Sequence, residues 1–395
     1  WLIAGFVVLL LILLGSSLGA FFLLTPGRNV GTGLVPSLTP ALVGHVHFIS
    51  SEQLYVNNNQ GLNDQVQIDL QHITPPANGK RYYAWLLPDT GQSETAPLLL
   101  GALDVHDGEV HVRYSGDAQH DNLLGMFSRF LITEEDAQIT PVLPSTDPSA
   151  RRYYAEIPHT PNPNDTKSHF SMLDHLRHLL ANDPTIAKVG LQGGLSIWLL
   201  RNTEEELTWA VSAKDRWESK NTTAIRQQLI NILYYLDGAA CIEPDIQQVP
   251  AGTVTTPQNA TIARIGHVPL LDKTCTQPQA PGYTQHIGLH LLGVTSSPGS
   301  SSTIRTTASS IEKALNDVQH WLEQMRADTV QLLNMSDQQL TSNTALAILG
   351  DLATQARNAY AGSTDPNTGE WQGGVVWIYG NVQRLATFDV TAYKS

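Results

Sequence analysis

Cysteine is scarce: only Cys241 and Cys275 occur in 395 residues. That pair contains no C-x-x-C and so excludes the usual thiolate metal and redox motifs. Outside a reducing cytosol an even pair reads as a disulfide, and inside one as two buried thiols. If joined, they close a loop of about 35 residues and stabilise by roughly 3–4 kcal/mol in the chain-entropy account. Basic residues are also few, 23 Lys and Arg against 36 Asp and Glu, for a net charge of −13. Nucleic-acid binding neutralises phosphates with Lys and Arg, so this balance argues against it. It argues equally against a body lying flat on anionic lipid. There is no P-loop, no H-E-x-x-H, no G-x-S-x-G and no EF-hand loop, so no catalytic or cofactor-binding residue is assigned.

One long apolar run is present. Trp1 to Leu24 carries no charge, broken only by glycines and two serines. As a helix it reaches ~36 Å, enough for a ~30 Å hydrocarbon core. A cleaved signal peptide has a shorter core and a basic start, so a signal anchor fits better. A pilin-like packing helix and an unremoved signal peptide are the alternatives. Gly15 and Gly19 form a G-x-x-x-G pair that lets two such helices approach. The cysteine pair favours placing the bulk of the chain outside the cytoplasm.

Residues 25–40 carry Pro26, Gly27, Gly31, Gly33, Pro36 and Pro40 and read as a linker. From 41 to 157 the pattern is β. Val66, Ile68 and Leu70 alternate with polar residues, as do Val110, Val112 and Tyr114. Turn signals at Asn57–Asn59, Pro75–Gly79, Asp89–Gly91 and Asp107-Gly108 separate the runs, which suggests an antiparallel sandwich.

These residues resemble the C-terminal extracytoplasmic domain of anti-sigma-K factors. The likeness rests on an amphipathic strand, then a Pro-rich turn with Gly79-Lys80. The strand Tyr82 to Trp85, the pair Leu100-Gly101 and the strand end Ile132-Thr133-Glu134-Glu135 follow in the same order. The resemblance implies a β domain held outside the membrane by a single span. Tyr83 and Trp85 are expected to pack between two sheets.

Pro158 to Asp165 holds three prolines and two asparagines and marks a domain boundary, with the linker drawn at 158–166. Residues 167–395 turn helical, with a loop-rich insertion at 239–308. Ser168–Ala181 is amphipathic, and Asp183-Pro184 caps and opens the next helix. Gly193-Gly194 weakens the stretch that follows, and Thr203 and Glu206 have the spacing of a capping box that would break it. Thr222–Leu236 is a third helix. Capping boxes at Ser309–Glu312 and Ser336–Gln339 open two long helices, and Val375–Val390 is a last helical candidate. Buried stripes on four or more helices imply an up-and-down bundle.

Histidine is the best remaining lead to chemistry. His175 and His178 lie three apart, and His286 and His290 four apart, so each pair shares a helix face. A bundle can gather such residues into a metal site. No Glu-x-x-His accompanies either pair, and Asp174 is the adjacent carboxylate on the first helix. The default reading is therefore surface or boundary histidines, with His175, His178, His286 and His290 as candidates and no metal assigned. The runs Glu134–Asp136 and Glu204–Glu206 read as solvated ends of elements.

The expected fold class is α+β and multidomain: a transmembrane helix, a β-sandwich and a helical bundle. The expected function is binding, sensing or scaffolding at the cell membrane, linked through the resemblance to anti-sigma signalling, without catalysis. The lipid bilayer is the expected partner through residues 1–24, with self-association or a protein partner beside it. A filament or envelope subunit packing through its apolar end is the alternative.

Overall fold

Alternation of apolar and polar residues makes the strands and sets which face is covered. In β1 (Leu42–Ile49) Val46 and Phe48 are buried, and in β2 (Gln65–Leu70) Val66, Ile68 and Leu70 are. The next strands are β3 (Lys80–Pro88), β4 (Leu98–Leu103), β5 (Val110–Tyr114), β6 (Phe127–Asp136) and β7 (Arg151–Glu156). The computed structural model describes residues 41–51, 58–247, 249, 268–272 and 281–394. The apolar run 1–24, with Gly15 and Gly19, and the linker 25–40 lie outside the described residues. Among the described residues no helix is long and apolar enough to cross a membrane.

The helices are α1 (Met172–Leu180), α2 (Pro184–Ala187), α3 (Leu195–Glu218), α4 (Thr222–Asp237), α5 (Glu243–Ile246) and α6 (Tyr283–Ser296). They continue with α7 (Ser302–Leu333), α8 (Asp337–Leu340), α9 (Asn343–Ala361) and α10 (Val375–Gln383). A two-stranded ribbon, β8 (Gly362–Thr364) with β9 (Trp371–Gly373), precedes α10. The fold is thus α+β.

The last strand, β10 (Thr387–Ala392), corrects the sandwich. The sheet has eight strands in the order β4-β3-β6-β7-β10-β1-β2-β5, and every described pairing in it is antiparallel. Two facing sheets were expected, but β10 hydrogen-bonds to β7 on one side and β1 on the other and joins both halves edge to edge. Phe388 on β10 is fully buried between Phe48 and Phe130, with ring centroids 5.5 and 6.3 Å away. The chain therefore does not divide at Pro158–Asp165: Leu42–Ser395 forms one compact unit. Val375–Val390, expected as a helix, is helical only to Gln383 and then turns into the strand.

Tyr82, Ala84 and Leu86 of β3 belong to the main core, which continues into the helices. Tyr83 and Trp85 point to the opposite face and pack with Leu131 in a small second cluster. There the Trp85 indole donates to Thr133 Oγ1 at 2.9 Å.

Three helix boundaries differ from expectation. α7 starts at its N-cap Ser301, well before Ser309, because Ile304 and Ala308 extend the buried stripe backwards. The Ser336–Gln339 capping box is present, but the helix it opens lasts four residues before Ser342 caps α9. Thr203 and Glu206 do not interrupt α3. Thr203 Oγ1 bonds back to Leu199 C=O at 2.8 Å, and Glu206 is fully buried rather than solvated.

Candidate metal centre

The site begins with what fixes α1. Ser171 and Asp174 form its capping box. Arg177 makes a two-pronged ion pair with Asp89 at 2.7 and 2.8 Å and donates through Nε to Leu124 C=O. The side-chain amides of Asn63 and Asn122 both donate to Leu180 C=O near the helix end. Gly194 has a structural reason: a Cβ there would lie 2.3 Å from Leu179 C=O, so only glycine lets α3 start against α1. Polar loops of the sheet thus hold the helix that carries His175 and His178.

At its other end the site is fixed by α6. Residues 268–272 tie its start to α4, with Leu270 and Leu271 N–H donating to Tyr235 and Leu236 C=O. Tyr283 and Thr284 N–H then donate to Pro269 and Leu270 C=O. α6 packs against α1 and α7 and presents His286 and His290 on one face.

The four candidate histidines meet. Their default reading as surface or boundary residues is corrected for His175 and His290, which are buried where α1 faces α6, while His178 and His286 stand at the boundary, partly exposed. His175 is 8 % exposed and His290 5 %. His290 Nε2 lies 3.2 Å from His286 Nε2, and His290 Nδ1 lies 2.9 Å from His175 Nδ1. His178 stands edge-on to His290 with ring centroids 4.9 Å apart, and Phe170 closes the group edge-on to His178 at 4.8 Å.

Asp183 is the member that the histidine spacing did not reveal. Its expected role as the cap before Pro184 holds: Oδ1 accepts from Thr185 and Ile186 N–H at 2.8 and 3.3 Å. Its other oxygen faces the imidazoles. Oδ2 lies 3.8 Å from His178 Nδ1 and 3.9 Å from both His286 Nε2 and His290 Nε2. Asp174, the carboxylate adjacent in sequence, points back into its capping box. The signal for Asp183 was its position five residues after His178, across a Pro-directed turn.

Burial drives the electrostatics. It pushes the pKa values of His175, His178 and His286 down, partly opposed at His178 and His286 by the Asp183 carboxylate. His290 is pushed down to about 2, first by burial and then by His286, His178 and His175. All four rings are therefore neutral near pH 7, the form in which imidazole offers a lone pair to a metal. His178 Nδ1 and His286 Nδ1 are buried without a hydrogen-bond partner. The ligand atoms of His178, Asp183 and His290 lie within 4.8 Å of one another.

Other histidines and carboxylates stay apart from this centre. His320 is exposed on α7. Asp365 accepts from Asn367 and Thr368 N–H in the turn between β8 and β9. Glu134 pairs with Arg152 at a strand end. Of the expected cysteine pair, Cys241 lies in the turn after α4 and is not a free thiol, while Cys275 lies outside the described residues.

A groove of about 740 Å³ runs between α6 and α7, lined by Gln285, Leu289, Leu292, Glu312, Gln319 and Arg326 among others. Neither it nor the cavities of about 610 and 410 Å³ beside the sheet is lined by the histidine cluster. Comparison of the chain with protein-family models, curated proteins and solved structures finds no match.

Proposed function

We propose that this chain is a single-pass, membrane-anchored extracytoplasmic protein that binds, senses or scaffolds rather than catalyses. Its imidazole–carboxylate cluster acts as an internal brace. The observation that carries this reading is the enclosure of the cluster. Its side chains join α1 and α2 to α6 across the interior, and none of the three cavities described above is lined by them. An active site needs a place for substrate beside its reacting groups. A brace needs only the contacts.

The anchor is supported by the uncharged run Trp1–Leu24 and by Pro- and Gly-rich spacing from there to the sheet. The resemblance of 41–157 to an anti-sigma-K extracytoplasmic domain supports the side of the membrane and a link to signalling. The test uses the full chain in a host membrane. It is expected to stay with the membrane through an alkaline carbonate wash, and protease added from outside is expected to digest the folded body. Release by carbonate, or protection from external protease, contradicts the reading.

A further inference from the structure

We infer that the cluster is a site for one zinc-class divalent ion. Its ligands are His178 Nδ1, Asp183 Oδ2, His286 Nε2 and His290 Nε2, and His175 is a positioning residue behind them. This deepens the reading of the cluster as a brace and rests on it.

Hydrogen bonding alone does not account for the arrangement. A chain of neutral imidazoles would satisfy part of it: His286 Nε2–H donating to His290 Nε2, and His290 Nδ1–H donating to His175 Nδ1, at 3.2 and 2.9 Å. That chain leaves His178 Nδ1 buried without a partner. It also leaves Asp183 Oδ2 at 3.8 to 3.9 Å from three ring nitrogens, too far for a hydrogen bond. A carboxylate this buried needs a compensating charge, and among the described residues its ion-pair partners are histidines, with no Lys or Arg beside it. A cation among the four atoms gives each of those four a partner.

The spacing suits a small ion. Metal–nitrogen and metal–oxygen bonds of about 2.0–2.1 Å give tetrahedral edges near ~3.4 Å. His286 and His290 lie 3.2 Å apart and Asp183 Oδ2 lies 3.8 to 3.9 Å from the three ring nitrogens, while His178 and His290 stand within 4.8 Å of each other, so His178 has to swing inward to close the shell. The donor set selects the class. Calcium and magnesium take oxygen ligands, and copper(I) takes thiolates or thioethers. Three imidazoles with one carboxylate suit zinc and its neighbours. Four protein ligands leave no open position for water, which makes the site structural.

His175 decides where the His290 proton sits. Two ring nitrogens 2.9 Å apart bond only if one of them carries hydrogen. With the ion on His290 Nε2, the proton is on Nδ1 and donates to the lone pair of His175 Nδ1. Such an outer partner fixes ring orientation and raises ligand basicity. Gly293 makes room for it, since a Cβ there would lie 2.2 Å from the His175 ring.

The experiment is zinc titration and elemental analysis of the full chain, purified in detergent without chelator or a histidine tag. One equivalent is expected, and cobalt in its place is expected to give the visible bands of a tetrahedral site. Asp183→Asn keeps a good helix cap while removing the anionic ligand, and stoichiometric binding is expected to be lost. His175→Phe is expected to keep one site with affinity lowered about 10–100-fold. A folded wild-type chain that binds no zinc overturns the ion. Unchanged affinity in His175→Phe overturns the positioning role. Loss of stability in His290→Gln without any metal binding leaves the brace standing and removes only the ion. Unchanged stability there, with no metal bound, removes both.

Discussion

His175 on α1 and His290 on α6 meet nitrogen to nitrogen at 2.9 Å, although 115 residues separate them. Nothing but the packing of α1 on α6 brings them together, and the room for their contact comes from one missing methyl group at Gly293.

Gly293→Ala therefore destabilises the fold by about 1–3 kcal/mol, the usual cost of forcing a packed interior apart. The three atoms nearest its Cβ all belong to the His175 ring, at 2.2 to 2.6 Å. Urea unfolding is the check. A midpoint equal to wild type would mean that the ring moves aside freely.

Asp237 ends α4 with its side chain fully buried, and Arg326 on α7 donates to both its oxygens while also reaching Asp245 at 2.5 Å. Arg326→Met removes the cation that this carboxylate faces and is expected to cost about 3–5 kcal/mol. Lys313→Ala breaks an ion pair with Glu370 in which both partners are exposed. It is expected to leave the unfolding midpoint unchanged, because solvent screens such pairs.

Glu206 gives the pH dependence its sign. Burial, then Asp237 and Glu205, raise its pKa well above the ordinary carboxylate value. A carboxyl whose folded pKa is raised stabilises fully only while it is protonated in both states. Stability is therefore lost as pH rises from the unfolded value near 4.5 upward through the folded one. Glu206→Gln is expected to flatten that loss and to be more stable than wild type at pH 8. Parallel unfolding curves for the two chains between pH 5 and pH 8 would contradict it.

β2 and β5 were legible as period-two alternation, and α1 and α4 as period-3.6 stripes, because both patterns are local. Thr387–Ala392 was not legible as the strand joining the two halves of the sheet, since its partners Leu42–His47 and Tyr153-Tyr154 lie far away in sequence. The same limit applies to the site. The spacing showed that His175 and His178 share one face and His286 and His290 another, but not that the faces meet. Asp183 was legible as a cap through Pro184, and a cap uses one oxygen. The task of the second oxygen is set by α6. Glu206 read as a solvated helix start because three acids in a row suit a first turn, and the continuity of α3 placed it inside instead.

β10 makes a prediction about fragments. Residues 41–157 alone lack the strand between β7 and β1 and are expected not to fold, and truncation after Ala386 is expected to unfold the sheet. The milder change Phe388→Ala is expected to cost about 3–5 kcal/mol. Circular dichroism of these chains is the check, and a cooperative unfolding transition in the 41–157 fragment would show that its strands pair without β10.

The most direct measurement is the thermal midpoint of the full chain in detergent, before and after chelation and again after one equivalent of zinc. The bound ion predicts a fall of several degrees on chelation and recovery with that single equivalent. Superimposable curves in all three states would contradict it.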